Sequence, residues 1–338
     1  MANVLAAARL SEMAKVGATA RSSDFGPYLS PASFWNPYYL NSSAWIEHSP
    51  FAFWITSVLK PRSIVELGTH YGFSYFAFCQ AVQTAGLETR CFAVDTWKGD
   101  EHAGFYGEEV FDAVNRYNDQ HYSTFSRLVR STFEEALPHF SDSSIDILHI
   151  DGRHFYEDVR YDFESWRPKL SERAVVLFHD TNVRERGFGV FKFWAELANE
   201  FPSFEFFHGN GLGVLGHGVE LPEEVLSLCE SSADSAVAIR AAYSRLGGAV
   251  QADFDANITR SRPENSEMLV SGLRTELENR NGEIAKLGNE TAGLRRELEA
   301  LHTSSSWRLT RPLRFLKRGA IWLPRRLAGL SAIVTAKK

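Results

Sequence analysis

Cysteine is scarce in this chain. The 338 residues hold only three, Cys79, Cys91 and Cys229, and no two of them form a CxxC pair. An odd, widely spaced set of this kind gives neither a metal-ligand spacing nor a disulfide framework, and it suits buried thiols in a reducing compartment. Long apolar runs are missing too. No stretch reaches the roughly 18–20 uncharged apolar residues that a spanning helix requires. The start, MANVLAAARLSEMAKVGATA, lacks the basic-then-apolar order of a secretory leader. A cytoplasmic location is therefore expected. Acidic residues vanish at the other end: Thr303 to Lys338 contains nine Lys or Arg and no Asp or Glu. The preceding 302 residues carry 27 basic and 42 acidic side chains, a net charge of −15. The charge pattern describes an acidic body with a basic tail.

Apolar residues, by contrast, are plentiful. At 44% of the chain, with 13% aromatic, they suffice for a packed core and exclude global disorder. From residue 63 to 218 short β-type runs alternate with helix-length stretches. SIVEL (63–67), CFAVD (91–95), RLVRS (127–131), IDILHID (145–151) and AVVLFHD (174–180) are each followed by a helical pattern. Repeated strand–helix units predict an α/β fold, a doubly wound and mostly parallel sheet covered on both faces. FEFFHG (204–209) and LGVLGHG (212–218), joined near Asn210-Gly211, predict an antiparallel hairpin at one edge.

Residues 1–62, rich in Trp, Tyr, Phe, Pro and Ser, read as a cover over the ligand-binding end of the sheet, and 219–267 as a helical connector. Over 268–302 the apolar period changes. Leu273, Leu277, Ile284, Leu287, Leu294, Leu298 and Leu301 alternate by fours and threes, a coiled-coil seam of about four heptads that would bring copies of the chain together. Gly272, Gly282, Gly288 and Gly293 work against it, at about 1 kcal/mol of helix propensity each. Residues 303–338 interleave Trp307, Phe315 and Trp322 with basic side chains. Such an amphipathic segment either lies on an anionic inner-leaflet membrane surface or packs on a partner protein.

Chemistry concentrates at the strand ends. In VELGTHYGFS (65–74) Gly68 allows a tight turn and Gly72 a close approach of the following helix to a ligand. The stretch is not GxGxxG, and Glu66 would repel a pyrophosphate, so a nucleoside ligand with a positive charge suits it better. Asp95, closing the next strand, is placed to accept both ribose hydroxyls, or else caps the helix that follows. Asp151 and Asp180 close two further strands whose carboxyl ends converge on one crevice. With His179 and Asn182 nearby they either hold a hard divalent cation through oxygen or cap two helices. His154, three residues past Asp151, is a candidate general base, with a structural histidine as the alternative.

Together these residues carry a resemblance. VELGTHYGFS, CFAVDTWKGD, LHIDGRHFYEDVRYDFESW and VVLFHD resemble the motifs of class I S-adenosylmethionine-dependent methyltransferases, within them the sugar and small-molecule O-methyltransferases similar to the macrolide-sugar and catechol enzymes. The resemblance covers residues 63–217 and implies a seven-stranded Rossmann-like sheet with S-adenosyl-L-methionine as methyl donor. It implies that Glu66, Gly68, Gly72 and Ser74 border the methionine and ribose, that Asp95 binds the ribose, and that Thr132 lies near the adenine. It places Mg²⁺ or another divalent cation at Asp151 and Asp180, and His154 as the base. Where the macrolide-sugar pattern has a further acid, this chain has His179. SSSWRLTRPLR resembles a short segment appended to bacterial glycosyltransferases and methyltransferases of surface-polysaccharide assembly.

The expected function is methyl transfer to a sugar hydroxyl of a surface glycan or glycosylated natural product, with no nucleic-acid partner. Two other readings stay open: a nicotinamide-dependent oxidoreductase, against which the third glycine is missing, and a non-catalytic scaffold in a polysaccharide assembly complex. The scaffold would gain if the aromatic N-terminal segment blocked the acidic crevice.

Overall fold

The computed structural model describes residues 26–100 and 102–303. Their first helix, α1 (Ser49–Leu59), has Pro50 in its first turn and ends at Lys60, whose φ of 47° stops it before Pro61. The alternation then follows: β1 (Ser63–Leu67), α2 (Phe73–Thr84), β2 (Arg90–Asp95), the short β3 (Gly99–Asp100) and β4 (Gly104–Phe105), and α3 (Glu108–His121). After these come β5 (Ser126–Arg130), α4 (Phe133–Ala136), β6 (Ile145–Ile150), α5 (Tyr156–Trp166), β7 (Leu170–His179) and α6 (Val190–Leu197). The series closes with β8 (Ser203–Phe206), β9 (Leu212–Gly216), α7 (Glu223–Cys229) and α8 (Ala233–Thr303).

Seven strands form one sheet in the order β5-β2-β1-β6-β7-β9-β8. The first five are parallel, and β9 and β8 add an antiparallel hairpin, as the sequence pattern predicts. Every residue of β6 is buried, because helices cover both faces and a central parallel strand has no solvent side. Its one acid, Asp146, is satisfied by the Arg62 guanidinium at 2.8 Å, the Arg62 backbone N–H and the Ser171 hydroxyl.

Three features depart from the pattern. The stretch 132–139 shortens to α4 because Pro138 turns the chain into a 3₁₀ turn at Leu137–His139. The small β3–β4 hairpin was not expected; Gly99 and Gly104, at φ of 76° and 82°, fold it back beside the sheet. The aromatic N-terminal segment is core as well as cover. Trp45, Phe51, Phe53 and Trp54 are almost fully buried in the main hydrophobic cluster, together with Tyr243 of α8.

Two compact units divide the chain at Ile258 and Thr259. In the first, Ala236, Ile239, Tyr243, Val250 and Phe254 of α8 are buried. In the second, helix runs to Thr303, and the predicted seam positions Ile284, Leu287 and Leu294 are exposed. The side chains of the other seam residues, and residues 304–338 of the basic tail, lie outside the described residues. Among the described residues no helix is long and apolar enough to cross a membrane.

Candidate active site

A parallel sheet gathers the carboxyl ends of its strands on one side, and backbone hydrogen bonds lock three of those ends together. Gly68 N–H donates to the Val94 carbonyl at 3.0 Å, Asp151 N–H to Leu67 at 2.8 Å, and Ser131 N–H to Asp95 at 3.1 Å. Gly68 has φ 88°, and a Cβ there would lie 2.1 Å from the Asp151 carbonyl oxygen. Only glycine permits the crossing. The junction floors a cavity of about 520 Å³ lined by Gly68, Gly72, Ser74, Asp95, Thr132, Asp151, His154, His179 and Asp180. All but one of the site residues expected from sequence are thereby brought together.

Glu66 is the exception. It is fully buried and does not line the cavity. Its Oε2 accepts from His149 Nδ1 at 2.8 Å, while Trp45 Nε1 donates to His149 Nε2 at 3.0 Å. An indole N–H can only donate, so His149 accepts at Nε2 and carries its proton on Nδ1. Burial pushes the Glu66 carboxyl up, opposed by His149 and by the hydroxyl of Ser74, which does face the cavity.

Asp95 lines the cavity with its carboxylate already engaged. Oδ2 accepts from the N–H groups of Thr69 (2.7 Å) and His70 (2.9 Å), and Oδ1 from Trp97 (2.7 Å). It therefore holds the glycine turn as well as offering remaining lone pairs to a ligand. Thr132 caps α4, its hydroxyl accepting from Glu135 N–H at 3.2 Å. Sequence reasoning missed the aromatic wall. His70 stacks on Tyr106 at 4.9 Å and 26°, and Tyr71 packs alongside. Ser42, Ser43 and Ala44 form part of the rim, so among the described residues the N-terminal segment borders the crevice without filling it.

Asp151, His154 and Asp180 form a cluster whose candidate ligand atoms all lie within 4.8 Å of one another. His154 Nε2 is 2.8 Å from Asp180 Oδ2 and 3.4 Å from Asp151 Oδ1. His179 turns Nδ1 to Asp151 at 3.2 Å and donates from Nε2 to the Gly209 carbonyl at 3.0 Å. That carbonyl also accepts from His48 Nε2 at 2.9 Å, so a hairpin turn and the start of α1 together orient His179. Burial opposes protonation of both cavity rings, yet the two carboxylates outweigh it. They lift His154 to about 10 and His179 to about 9. Burial would likewise raise Asp151, but the His179 and His154 rings hold it well below the usual carboxylate range. Asp180 sits at φ 61°, a left-handed conformation rare for a non-glycine residue. Its Oδ1 is buried with no partner.

An orphaned, buried carboxylate oxygen beside a second carboxylate is a donor set that fits a hard divalent cation. His179, expected among the metal residues, is not one of that cluster's three residues. Its Nε2 is committed to the Gly209 carbonyl, while its Nδ1 faces Asp151 at 3.2 Å and Asp180 at 3.6 Å.

Residues 65–181 match the family model described as a methyltransferase domain. This segment is a methyltransferase domain. The seven-stranded, mostly parallel sheet, whose β8 and β9 lie beyond the matched segment, has the Rossmann-like architecture expected from the motifs. The chain is also 58% identical over 207 residues to the uncharacterized protein y4gI of Sinorhizobium fredii (strain NBRC 101917 / NGR234), a match covering 61% of this chain and 22% of that protein. The chain thus spans about a fifth of that relative's length. Among solved structures it is similar to the O-methyltransferase TomG of Streptomyces achromogenes, in complex with SAM, at 15% identity and a TM-score of 0.40, covering 53% of this chain and 82% of that one. It is also similar to the SAH-bound methyltransferase PaMTH1 of Podospora anserina, at 12% identity and a TM-score of 0.39, covering 61% and 86%.

Proposed function

We propose that the methyltransferase domain transfers a methyl group from S-adenosyl-L-methionine to a hydroxyl oxygen of a small acceptor, a sugar in a surface glycan or glycosylated natural product. The observation that carries this reading is the meeting, in one cavity, of Asp95 at the end of β2 with the Asp151–His154–Asp180 cluster past β6 and β7. The sulfonium cofactor, when bound, supplies an electrophilic methyl and a good leaving group. The chain aligns the acceptor in line with it and removes the hydroxyl proton. The net acidic lining suits a cationic ligand.

Asp151 and Asp180 are the residues that would hold Mg²⁺ or another divalent cation, which would lower the acceptor hydroxyl's pKa. His154 then serves as base rather than third ligand. Its Nδ1 is enclosed without a partner, so the proton goes to Nε2, which faces the Asp151 and Asp180 carboxylates. The ring must be neutral for that, so the carboxylate charge beside it has to be offset.

In the same reading the protein is cytoplasmic. The basic segment 303–338 touches the inner membrane face, and the exposed Ile284, Leu287 and Leu294 pair with a second copy. Calorimetry with S-adenosylhomocysteine, with and without Mg²⁺, tests the central claim. Saturable binding that Asp95→Ala weakens is expected; no binding by the folded protein would overturn it. Full activity in excess chelator would remove the cation alone.

A further inference from the structure

Beside the cavity, the loop 181–189 and the start of α6 present three exposed cations, Arg184, Arg186 and Lys192. None makes an ion pair among the described residues, and Glu185 is the one acid set between them. Each is held against an aromatic ring. Arg184 lies over Phe191 at 4.1 Å with Lys192 on the same ring at 5.7 Å, and Arg186 lies over Phe188 at 5.1 Å. Phe188 is itself buried and stacks on His154 at 4.5 Å and 14°. The Arg186 guanidinium and the proposed base thus share contact with one ring.

Arg186 is fixed at both ends. Its φ of 52° is left-handed, its carbonyl accepts from His102 Nε2 at 3.0 Å, and His102 packs on Phe188 at 4.5 Å. A non-glycine residue keeps such a backbone only where its surroundings over-determine it. A guanidinium over a ring can keep in-plane N–H groups for phosphate oxygens. Arg184 spends Nη1 on the Thr181 carbonyl at 2.9 Å, which fixes its head beside the strand end that carries Asp180 and leaves its other N–H groups to a ligand. Residues 181–192 hold three cations and one acid, a local surplus of two positive charges, and Phe188 and His102 connect Arg186 to His154, which lines the cavity.

We propose that Arg184, Arg186 and Lys192 form a subsite for a phosphate or diphosphate carried by the acceptor, so that the sugar is methylated while still attached to its phosphorylated carrier. This rests on the methyltransferase reading above and names the acceptor class for it. The anionic handle stays on the basic rim, and the neutral sugar enters past Phe188 toward His154.

The test is calorimetry of the full chain with inorganic pyrophosphate in metal-free buffer, with and without S-adenosylhomocysteine. Saturable binding is expected, weakening with salt because exposed charges are screened. It should fall at least tenfold in the Arg184→Ala/Arg186→Ala/Lys192→Ala variant while S-adenosylhomocysteine affinity stays within twofold, which also shows that the variant is folded. The nine basic residues of 303–338 are unchanged in that variant, so pyrophosphate binding that survives the triple substitution belongs to them and overturns the proposal. Absence of binding by the wild type overturns it equally. Loss of S-adenosylhomocysteine binding with pyrophosphate binding intact would instead strike the methyltransferase reading. Two further arms separate the carriers. Tighter binding of uridine diphosphate supports a nucleotide-linked sugar. Tighter binding of neutral vesicles doped with an isoprenyl diphosphate, abolished by the triple variant, supports a lipid-linked one.

Discussion

Replacing Asp95 by alanine should damage both the cofactor site and the fold around it. The carboxylate accepts three backbone N–H groups, from Thr69, His70 and Trp97, at 2.7, 2.9 and 2.7 Å. Hydrogen bonds to a charged acceptor contribute about 1.5–3 kcal/mol each, and a buried donor left unpaired costs about 1–3 kcal/mol. Water entering from the cavity would re-pair part of this, so a loss of about 3–5 kcal/mol is expected rather than the full sum. At roughly 2–4 °C per kcal/mol for a unit of this size, the melting temperature should drop by about 6–20 °C. The Thr69–His70 turn adjoins Gly72 at the start of α2, so cofactor affinity should fall with stability. Asp95→Asn is the informative companion. It keeps one acceptor oxygen but turns an NH₂ donor toward backbone donors, so it should resemble alanine in stability despite its shape. Thermal melts and S-adenosylhomocysteine titrations of both variants measure the effect. A melting temperature within 2 °C of wild type, alongside lost cofactor binding, would refute the structural half of this reasoning and leave Asp95 a ligand contact alone.

Gly68→Ala should be worse than Gly72→Ala. The first sets a Cβ 2.1 Å from backbone and the second 2.8 Å from the edge of the Phe76 ring, a side chain that has to shift by less than the backbone carbonyl would. Left-handed strain and overpacking together cost about 2–4 kcal/mol at Gly68 and about 1 kcal/mol at Gly72, and equal denaturant midpoints would refute the distinction. The pH dependence of metal-free protein follows from the cluster. His154 and His179 have folded values of about 10 and about 9, above the ordinary value near 6.5, so their stabilisation is complete below that value and fades as pH rises through 9–10. Asp151 is depressed, so its contribution is present above about pH 4 and lost as pH falls through its folded value. Chelator-treated wild type should therefore lose more stability between pH 7 and 10 than an Asp151→Asn/Asp180→Asn variant, and parallel curves would mean that the rings are not held charged.

The sequence by itself determined the sheet and the place of its reactive end. Alternation of apolar runs with helical patterns is a local signal, and parallel strands must all finish on one side. Asp95, Asp151 and Asp180, each closing a run, were therefore bound to converge, and Gly68 and Gly72 marked the turn between them. Other features were decided only by tertiary structure. Glu66 looked like a cavity residue, yet it is sealed beneath His149 and Trp45, which are 83 and 21 positions away along the chain. His179 has one nitrogen claimed by the Gly209 carbonyl across 30 positions, which turns the other toward Asp151 and Asp180. The contacts of Arg186 and His154 with Phe188 bring a surface cation near a half-buried base through a loop with no periodicity to read. The reason is common to all three. Periodicity reports which face of an element meets the core, but the partner of a particular polar atom depends on distant segments meeting in space, and no local pattern encodes that meeting.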